Sequence, residues 1–182
     1  MPLARERLYT VEDIADLPDG QRAELIDGVI YDMSTPSRQH QKISMALATA
    51  IQNYIAAQKG NCEVYAAPFA VFLDQNDYNY FEPDITVVCD PSKLSDRGCE
   101  GVPDWIIEIV SPSTQSRDYG IKLFKYRMAG VREYWIIDQR ENRIAVYDFE
   151  NDSMYKAYTF SEQVPVGIYD GDLQIDFSKL IN

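Results

Sequence analysis

The stretch GVPDWIIEIVSPST, from Gly101 to Thr114, contains a run of Ile and Trp that predicts a β-strand from Asp104 to Val110. Apolar residues occupy both phases of its alternation, so both faces of the strand should be covered. Glu108 lies in the middle of this strand, where an isolated carboxylate would lose its hydration without compensation. We therefore expect Glu108 to have a partner, which is a cation, a metal ion or a proton.

The whole chain has the size and composition of one globular domain spanning residues 1–182. Of its 182 residues, 46% are hydrophobic and 12% aromatic, which is enough for a buried core. No apolar run reaches the roughly 18 residues of a membrane span, and the opening MPLARERLYT lacks a secretory apolar segment. We expect a cytoplasmic protein without a membrane partner. The spacings of Cys62, Cys89 and Cys99 match no zinc or redox motif, so reduced thiols and no disulfide are expected.

The charge balance is strongly acidic, with a formal net charge of -12. This excludes a protein that coats nucleic acid through bulk positive charge. One segment departs from the balance, because it holds five basic residues against the single acid Asp118: Arg117, Lys122, Lys125, Arg127 and Arg132. This segment is either a solvated helix face or a local phosphate-facing patch.

The order of predicted elements indicates an α/β fold. Helical spacing of apolar residues predicts a long helix from about His40 to Gln58 and a second from about Arg117 to Ala129, which lies between the strand of Glu108 and the strand REYWIID. Asp27-Gly28 between two apolar runs predicts a hairpin near the N-terminus, and the C-terminal part is rich in β-strands. A strand, helix and strand in sequence favour a sheet with a crossover connection.

Two carboxylates belong to neighbouring predicted strands. Asp84 opens the strand of PDITVVCD, and Glu108 interrupts the next strand 24 residues later. Like charges at the same level of one sheet repel each other unless a proton or a divalent cation lies between them. Mg²⁺ is the natural candidate, because it prefers oxygen ligands and is commonly held by one or two carboxylates together with substrate phosphate oxygens.

These carboxylates and the following helix carry a family resemblance. The chain resembles the Uma-two family of restriction endonucleases in the PD-(D/E)XK nuclease superfamily over most of its length, through these segments: ELIDGVIYDM, PSRQHQKI, EPDITVV, PDWIIEIVSPST and RDYGIKLFKYRMAGVREYWIID. The resemblance implies a restriction-endonuclease-like mixed β-sheet flanked by helices, with extra β-hairpins at the N- and C-terminal ends. It also implies DNA as substrate.

The resemblance assigns roles to the acids and to a lysine. Asp84 and Glu108 take the positions of the two acidic motifs, and Glu24 matches an additional acid near the metal. The superfamily lysine normally stands two residues after the second acid, where this chain has Val110. In the resembled family the lysine has migrated to the next helix, which points to Lys122 and, as second choice, to Lys125.

Phosphodiester cleavage explains these residue types chemically. Asp84 and Glu108 would hold Mg²⁺ or Mn²⁺, with the backbone carbonyl of Ile109 as a further ligand, so that water is activated and phosphoryl charge is stabilised. Lys122 would act either as a base or as an electrostatic clamp, and the sequence leaves both roles open. The tyrosine-rich C-terminal strands predict a homodimer, since aromatic side chains favour interfaces.

Other interpretations of the same residues remain open. Glu108 could form an ion pair with Lys122 or Arg117, and Lys122 could form a helix-surface salt bridge with Asp118. His40, the only histidine, is interpreted as a capping or packing residue. The fold could also serve as a catalytically silent module for DNA or protein binding, or hydrolyse another phosphoester.

Overall fold

The computed structural model describes residues 7–151 and 155–180. Its α-helices are α1 (Val11–Ala15), α2 (Arg38–Gln58), α3 (Gln115–Arg117), α4 (Leu123–Ala129) and α5 (Phe177–Leu180). Its strands are β1 (Ala23–Ile26), β2 (Val29–Asp32), β3 (Glu63–Ala66), β4 (Val71–Phe72), β5 (Ile85–Val88), β6 (Leu94–Ser95), β7 (Gly98–Glu100), β8 (Trp105–Ile109), β9 (Glu133–Asp138), β10 (Arg143–Asp148), β11 (Lys156–Tyr158), β12 (Gln163–Pro165) and β13 (Gln174–Asp176).

A six-stranded mixed sheet in the order β11-β10-β9-β8-β5-β3 forms the centre of the molecule. β8 and β9 are parallel, whereas the other adjacent pairs are antiparallel. The crossover between the two parallel strands contains the site helix, residues 115–129, in which α3 and α4 are joined by a π turn from Asp118 to Lys122. This arrangement confirms the predicted α/β class with a crossover connection.

Two-stranded hairpins lie at both ends of the chain, as expected. β1 pairs with β2, and β12 pairs with β13. The first hairpin turns at Asp27 and Gly28, whose φ angles are 51° and 78°. Positive φ at both central residues is the geometry for which an Asp-Gly pair is favoured in tight hairpins. The turn therefore fixes the register that places Glu24 on β1.

The core consists of two apolar layers, one on each face of the central sheet. On one face, α2 packs Ile43, Leu47 and Ile51 against Trp105 and Trp135. The other face carries this layer: Phe81, Ile106, Tyr126, Tyr134 and Ile136. β8 is buried along its whole length, as its apolar sequence predicts, and the side chains of Glu108 and Val110 lie on the same face as Ile106 because strands alternate.

The expectation of reduced cysteines is wrong for two of the three. Cys62 and Cys89 form a disulfide, while Cys99 is a buried free thiol. Pairing of β3 with β5 sets Glu63 opposite Val88, so the cysteines that flank these residues meet across the strand pair. The cysteine spacings in the sequence did not predict this contact, because strand pairing brings together two residues that are 27 positions apart.

None of the described helices is both long enough and apolar enough to cross a bilayer.

Candidate active site

The partner of Glu108 is a cation. Lys122 Nζ lies 2.9 Å from Glu108 Oε1, and the Tyr126 hydroxyl donates to the same oxygen at 3.0 Å. Both members of the pair are buried, with 4% of Glu108 and 3% of Lys122 exposed. Burial raises the pKa of Glu108 well above its usual range, although the charge of Lys122 acts in the opposite direction.

Lys122 contacts three carboxylates rather than one. Its Nζ lies 2.7 Å from Glu24 Oε1 and 3.7 Å from Asp118 Oδ1, in addition to Glu108. Burial by itself lowers the pKa of Lys122, but the charges of Glu108, Glu24 and Asp118 outweigh this effect and the pKa is raised. Lys122 is therefore held as an ammonium ion, which favours the electrostatic clamp over the general base.

The π turn explains why Asp118 and Lys122 both point inward. A π turn contains more residues than an α turn, and such turns are frequent at functional sites. Both side chains are buried, whereas Phe124 and Met128 are 62% and 69% exposed. The surface salt bridge proposed for Asp118 and Lys122 is thus wrong in its location. Burial raises the pKa of Asp118, and its Oδ1 has no hydrogen-bond donor in the described part of the chain.

Asp84 lies beside Glu108, because β5 pairs with β8 in a register that sets Ile85 opposite Ile107. The Ile109 N–H donates to Asp84 Oδ2 at 2.7 Å. His40 Nε2 lies 3.1 Å from Asp84 Oδ1, and the Nδ1 atom of the same ring is buried without a hydrogen-bond partner in the described part of the chain. Burial lowers the pKa of His40, but Asp84 and the backbone of Ile109 raise it by a larger amount, so the net pKa lies above the usual value.

His40 is the site residue that sequence reasoning missed. Its backbone N–H does bond the helix N-cap Ser37 at 3.2 Å, as a residue of the first turn should, but its side chain points to Asp84. The signal was present in the helical spacing, because His40 precedes the buried residues Ile43 and Leu47 by three and seven positions. His40 therefore shares their inward face.

A second layer of polar residues supports Glu24. The backbone N–H of Glu82 donates to Glu24 Oε1 at 3.2 Å. The Glu82 carboxylate in turn accepts from Arg22 Nε at 2.7 Å and from the Tyr80 hydroxyl at 2.6 Å. Burial and the bond to Glu82 raise the pKa of Tyr80, so this hydroxyl stays protonated. These contacts fix Glu24 against Lys122.

Lys125 lies outside this cluster. Its ammonium pairs with Asp27, whose side chain is 56% exposed in the turn of the first hairpin. The sequence offered both Lys122 and Lys125 as the site lysine. Their surroundings in the structure differ. The geometry brings Lys122 to the carboxylates and leaves Lys125 on the surface.

The donor chemistry of the cluster suits a divalent cation, but its arrangement is not a preformed cage. Among the described residues, no three His, Cys, Asp or Glu side chains are grouped so that they could hold a metal ion. Both oxygens of Asp84 are occupied by the Ile109 N–H and His40, and Oε1 of Glu108 is occupied by Lys122 and Tyr126. Nevertheless, the two adjacent carboxylates and the Ile109 carbonyl are oxygen donors of the kind that Mg²⁺ prefers.

The cluster lies in a cleft of about 560 Å³. Besides the acids and Lys122, the cleft is lined by hydroxyl groups of the segment from Ser111 to Thr114 and by three arginines, Arg22, Arg117 and Arg140. A polar substrate can therefore reach Asp84 and Glu108 between hydrogen-bonding and cationic walls.

Comparisons with known proteins agree with this architecture. The fold is similar to a crystal structure titled as "a putative nuclease belonging to DUF820" from Anabaena variabilis, with a TM-score of 0.76, 21% identity and coverage of 94% of this chain and 97% of that chain. Two uncharacterized Synechocystis proteins are similar in sequence: slr1290 is 29% identical over 133 residues (72% of this chain, 68% of that protein), and sll1609 is 25% identical over 138 residues (74% and 76%). The family Uma2, described as "Putative restriction endonuclease", matches residues 10–175, so the chain belongs to this family.

Proposed function

We propose that this protein is a metal-dependent endonuclease that hydrolyses phosphodiester bonds in DNA with Mg²⁺ or Mn²⁺. The observation that carries the proposal is the buried ammonium of Lys122 at the base of an open cleft, 2.9 Å from a carboxylate that lies beside a second one in the sheet. Membership of a family described as restriction endonucleases supports the reaction class.

Each site residue has a definite task in this reaction. Asp84, Glu108 and the Ile109 carbonyl would hold the metal ion, which supplies an activated water and stabilises charge on the phosphoryl group when it is bound. Glu24 and Asp118 hold the Lys122 ammonium next to Glu108. From this position Lys122 stabilises the negative charge that develops on the phosphate, and its raised pKa keeps it protonated for this purpose.

A cleavage assay with matched variants tests the proposal. Plasmid and single-stranded DNA are incubated with Mg²⁺ or Mn²⁺ and with wild type, Asp84→Ala or the remote control Asp176→Ala. We expect cleavage by wild type and by the control, and a loss of about 100-fold or more in Asp84→Ala. Cleavage that is equal in wild type and Asp84→Ala would contradict the assigned site.

Metal binding provides a test that does not depend on turnover. We expect weak binding of Mn²⁺ by calorimetry, lost when Asp84 and Glu108 are both replaced by alanine and strengthened by a phosphate-bearing oligonucleotide. The same affinity in wild type and the double variant would exclude these two carboxylates as ligands.

A catalytically silent binding module is the second candidate. It is favoured by one observation: side-chain and backbone donors already occupy Asp84 and Glu108, and the described residues hold no preformed metal cage. Oligonucleotide binding without cleavage under any divalent metal would select this alternative.

We also propose a homodimer, on the basis of the aromatic surface of the C-terminal strands. Tyr147 stacks on Tyr155 with ring centroids 5.5 Å apart, and Tyr155 is 48% exposed. Exposed aromatic rings are favoured at protein interfaces. Light scattering at micromolar concentration should return the mass of two chains, and the mass of one chain would reject the dimer.

A further inference from the structure

Arg117 lines the cleft and has no acidic partner among the described residues. Its guanidinium lies 4.9 Å from the ring centroid of Tyr31, and it lines the cleft that holds Asp84 and Glu108. Its Nη1 is buried and has no hydrogen-bond partner in the described part of the chain. The ring of Tyr31 thus supports the guanidinium without neutralising it.

Arg140 is a second arginine of this kind. It is exposed in the turn between β9 and β10 and lines the same cleft. Its backbone N–H donates to Asp138 at 3.0 Å, but its guanidinium forms no ion pair with any described residue. The cleft therefore has unpaired cations on the site helix and on the β9–β10 turn.

The unpaired state of both arginines is informative because acids are abundant. The chain has 29 acidic and 17 basic residues, so carboxylates outnumber cations. Arg22 in the same cleft is bound to Glu82, Lys122 contacts three acids, and Arg132 pairs with Asp104 and Glu150. Arg117 and Arg140, which pair with no acid in residues 7–151 and 155–180, are therefore available for an external anion beside the candidate active site.

We propose that Arg117 and Arg140 form a clamp for the DNA backbone, in which each binds a phosphate next to the one cleaved. A guanidinium offers paired N–H donors that match two phosphate oxygens, and it keeps its charge at any physiological pH. The inference rests on the proposed function for the identity of the anion, but not on cleavage. It also explains how an acidic protein attracts a polyanion locally.

The test is DNA binding in EDTA, where metal-dependent cleavage does not occur. A fluorescent duplex of about 20 base pairs and the corresponding single strand are titrated with wild type, Arg117→Ala, Arg140→Ala and the control Arg97→Ala, over a range of salt concentrations. Arg97 is a matched control because its guanidinium also lies over an aromatic ring, 4.8 Å from the centroid of Phe72, but outside this cleft. Thermal unfolding establishes that each variant is folded.

We expect each cleft variant to weaken binding about tenfold and to reduce the slope of log K against log salt by about one, whereas Arg97→Ala leaves both unchanged. If Arg117→Ala does not fold, Arg117→Gln takes its place with the same expectation.

Equal losses in all three variants, no change in the cleft variants, or no binding by wild type would overturn the clamp. Arginine-dependent binding of inorganic phosphate without DNA binding would overturn it as well. Arginine-dependent DNA binding without cleavage in Mg²⁺ would support the clamp while contradicting the endonuclease.

Discussion

Glu108 and Glu133 are buried glutamates on the adjacent strands β8 and β9, and their surroundings differ. Burial raises the pKa of both. Glu133 accepts from Trp135 Nε1 at 2.7 Å through Oε1 and from the Ile168 N–H at 2.9 Å through Oε2. Glu108 instead receives Lys122 and Tyr126 on the single oxygen Oε1 and lines the open cleft.

The difference separates a carboxylate whose two oxygens are both held by the fold from one that lines an open cleft. Backbone N–H and indole donors around Glu133 are fixed by the fold, so this glutamate ties the C-terminal segment to the sheet. The donors of Glu108 are long side chains on the site helix, and one of its oxygens accepts neither of them. A carboxylate that has one oxygen outside the bonds of Lys122 and Tyr126 and that lines a cleft has the capacity to bind a further ligand.

Removal of the cation is expected to have the largest effect. Lys122→Ala leaves Glu24, Glu108 and Asp118 buried without their ammonium, so the free energy of unfolding should fall by about 3–5 kcal/mol. Cleavage should fall about 100-fold or more in the fraction that remains folded. Urea unfolding and the plasmid assay measure the two effects. Lys125→Ala is the control, because an exposed pair with Asp27 contributes at most about 1 kcal/mol. A stability loss equal to that of the control would contradict the buried cluster.

Glutamine substitution separates the roles of the two glutamates. In Glu108→Gln the amide oxygen can still accept from Lys122 and Tyr126, so the free energy of unfolding should change by less than about 1 kcal/mol while cleavage falls about 100-fold or more. In Glu133→Gln the amide nitrogen replaces one of two accepting oxygens and faces an N–H group, which should cost about 2 kcal/mol without a loss of cleavage. The reverse pattern in urea unfolding and cleavage would show that Glu133 belongs to the functional site.

The Asp84–Glu108 pair could be predicted from the sequence, because the apolar pattern of a strand reveals a charged residue within it. Glu108 stands out as the charged residue in the apolar run of β8, and the antiparallel pairing of β5 with β8 brings Asp84 beside it. Lys122 required the family resemblance, since Val110 occupies the usual lysine position. The overall α/β class and the N-terminal hairpin followed from periodicity and from the Asp27-Gly28 turn, whereas the C-terminal hairpin was implied by the family resemblance.

Tertiary contacts explain what the sequence did not provide. Helical counting treats Asp118 and Lys122 as a surface pair, whereas the π turn buries both. His40 meets Asp84 only because α2 packs across the sheet, and the Cys62–Cys89 disulfide exists only because β3 pairs with β5. Local pattern rules contain no term for such encounters.

Removal of a single tyrosine hydroxyl group is expected to have a smaller effect than the lysine and glutamine substitutions. Tyr126→Phe loses the bond to Glu108 Oε1, and Tyr134→Phe loses a bond of 3.1 Å to the Asp118 carbonyl. Each should lower the free energy of unfolding by about 1 kcal/mol. Only Tyr126→Phe should also reduce cleavage, by about tenfold, because its hydroxyl orients the carboxylate of the site. Equal cleavage rates in the two variants would mean that Lys122 alone orients Glu108.

Substitution of Asp176, a carboxylate in contact with solvent, should have the smallest effect. Its pKa is shifted in the opposite direction from that of the buried Glu108. Hydrogen bonds from Ser178 and Lys179 lower the pKa of Asp176 to about 2. A carboxyl group whose pKa is lower in the folded state stabilises the fold above the pKa of the unfolded chain, and this contribution is lost as the pH falls through the folded pKa. Thermal unfolding of wild type and Asp176→Asn should therefore differ slightly at about pH 5 and converge at about pH 2. The control Asp172→Asn removes another exposed charge of the same hairpin. If the difference in thermal unfolding between wild type and Asp176→Asn stays constant over this pH range, Ser178 and Lys179 do not stabilise the ionised carboxylate.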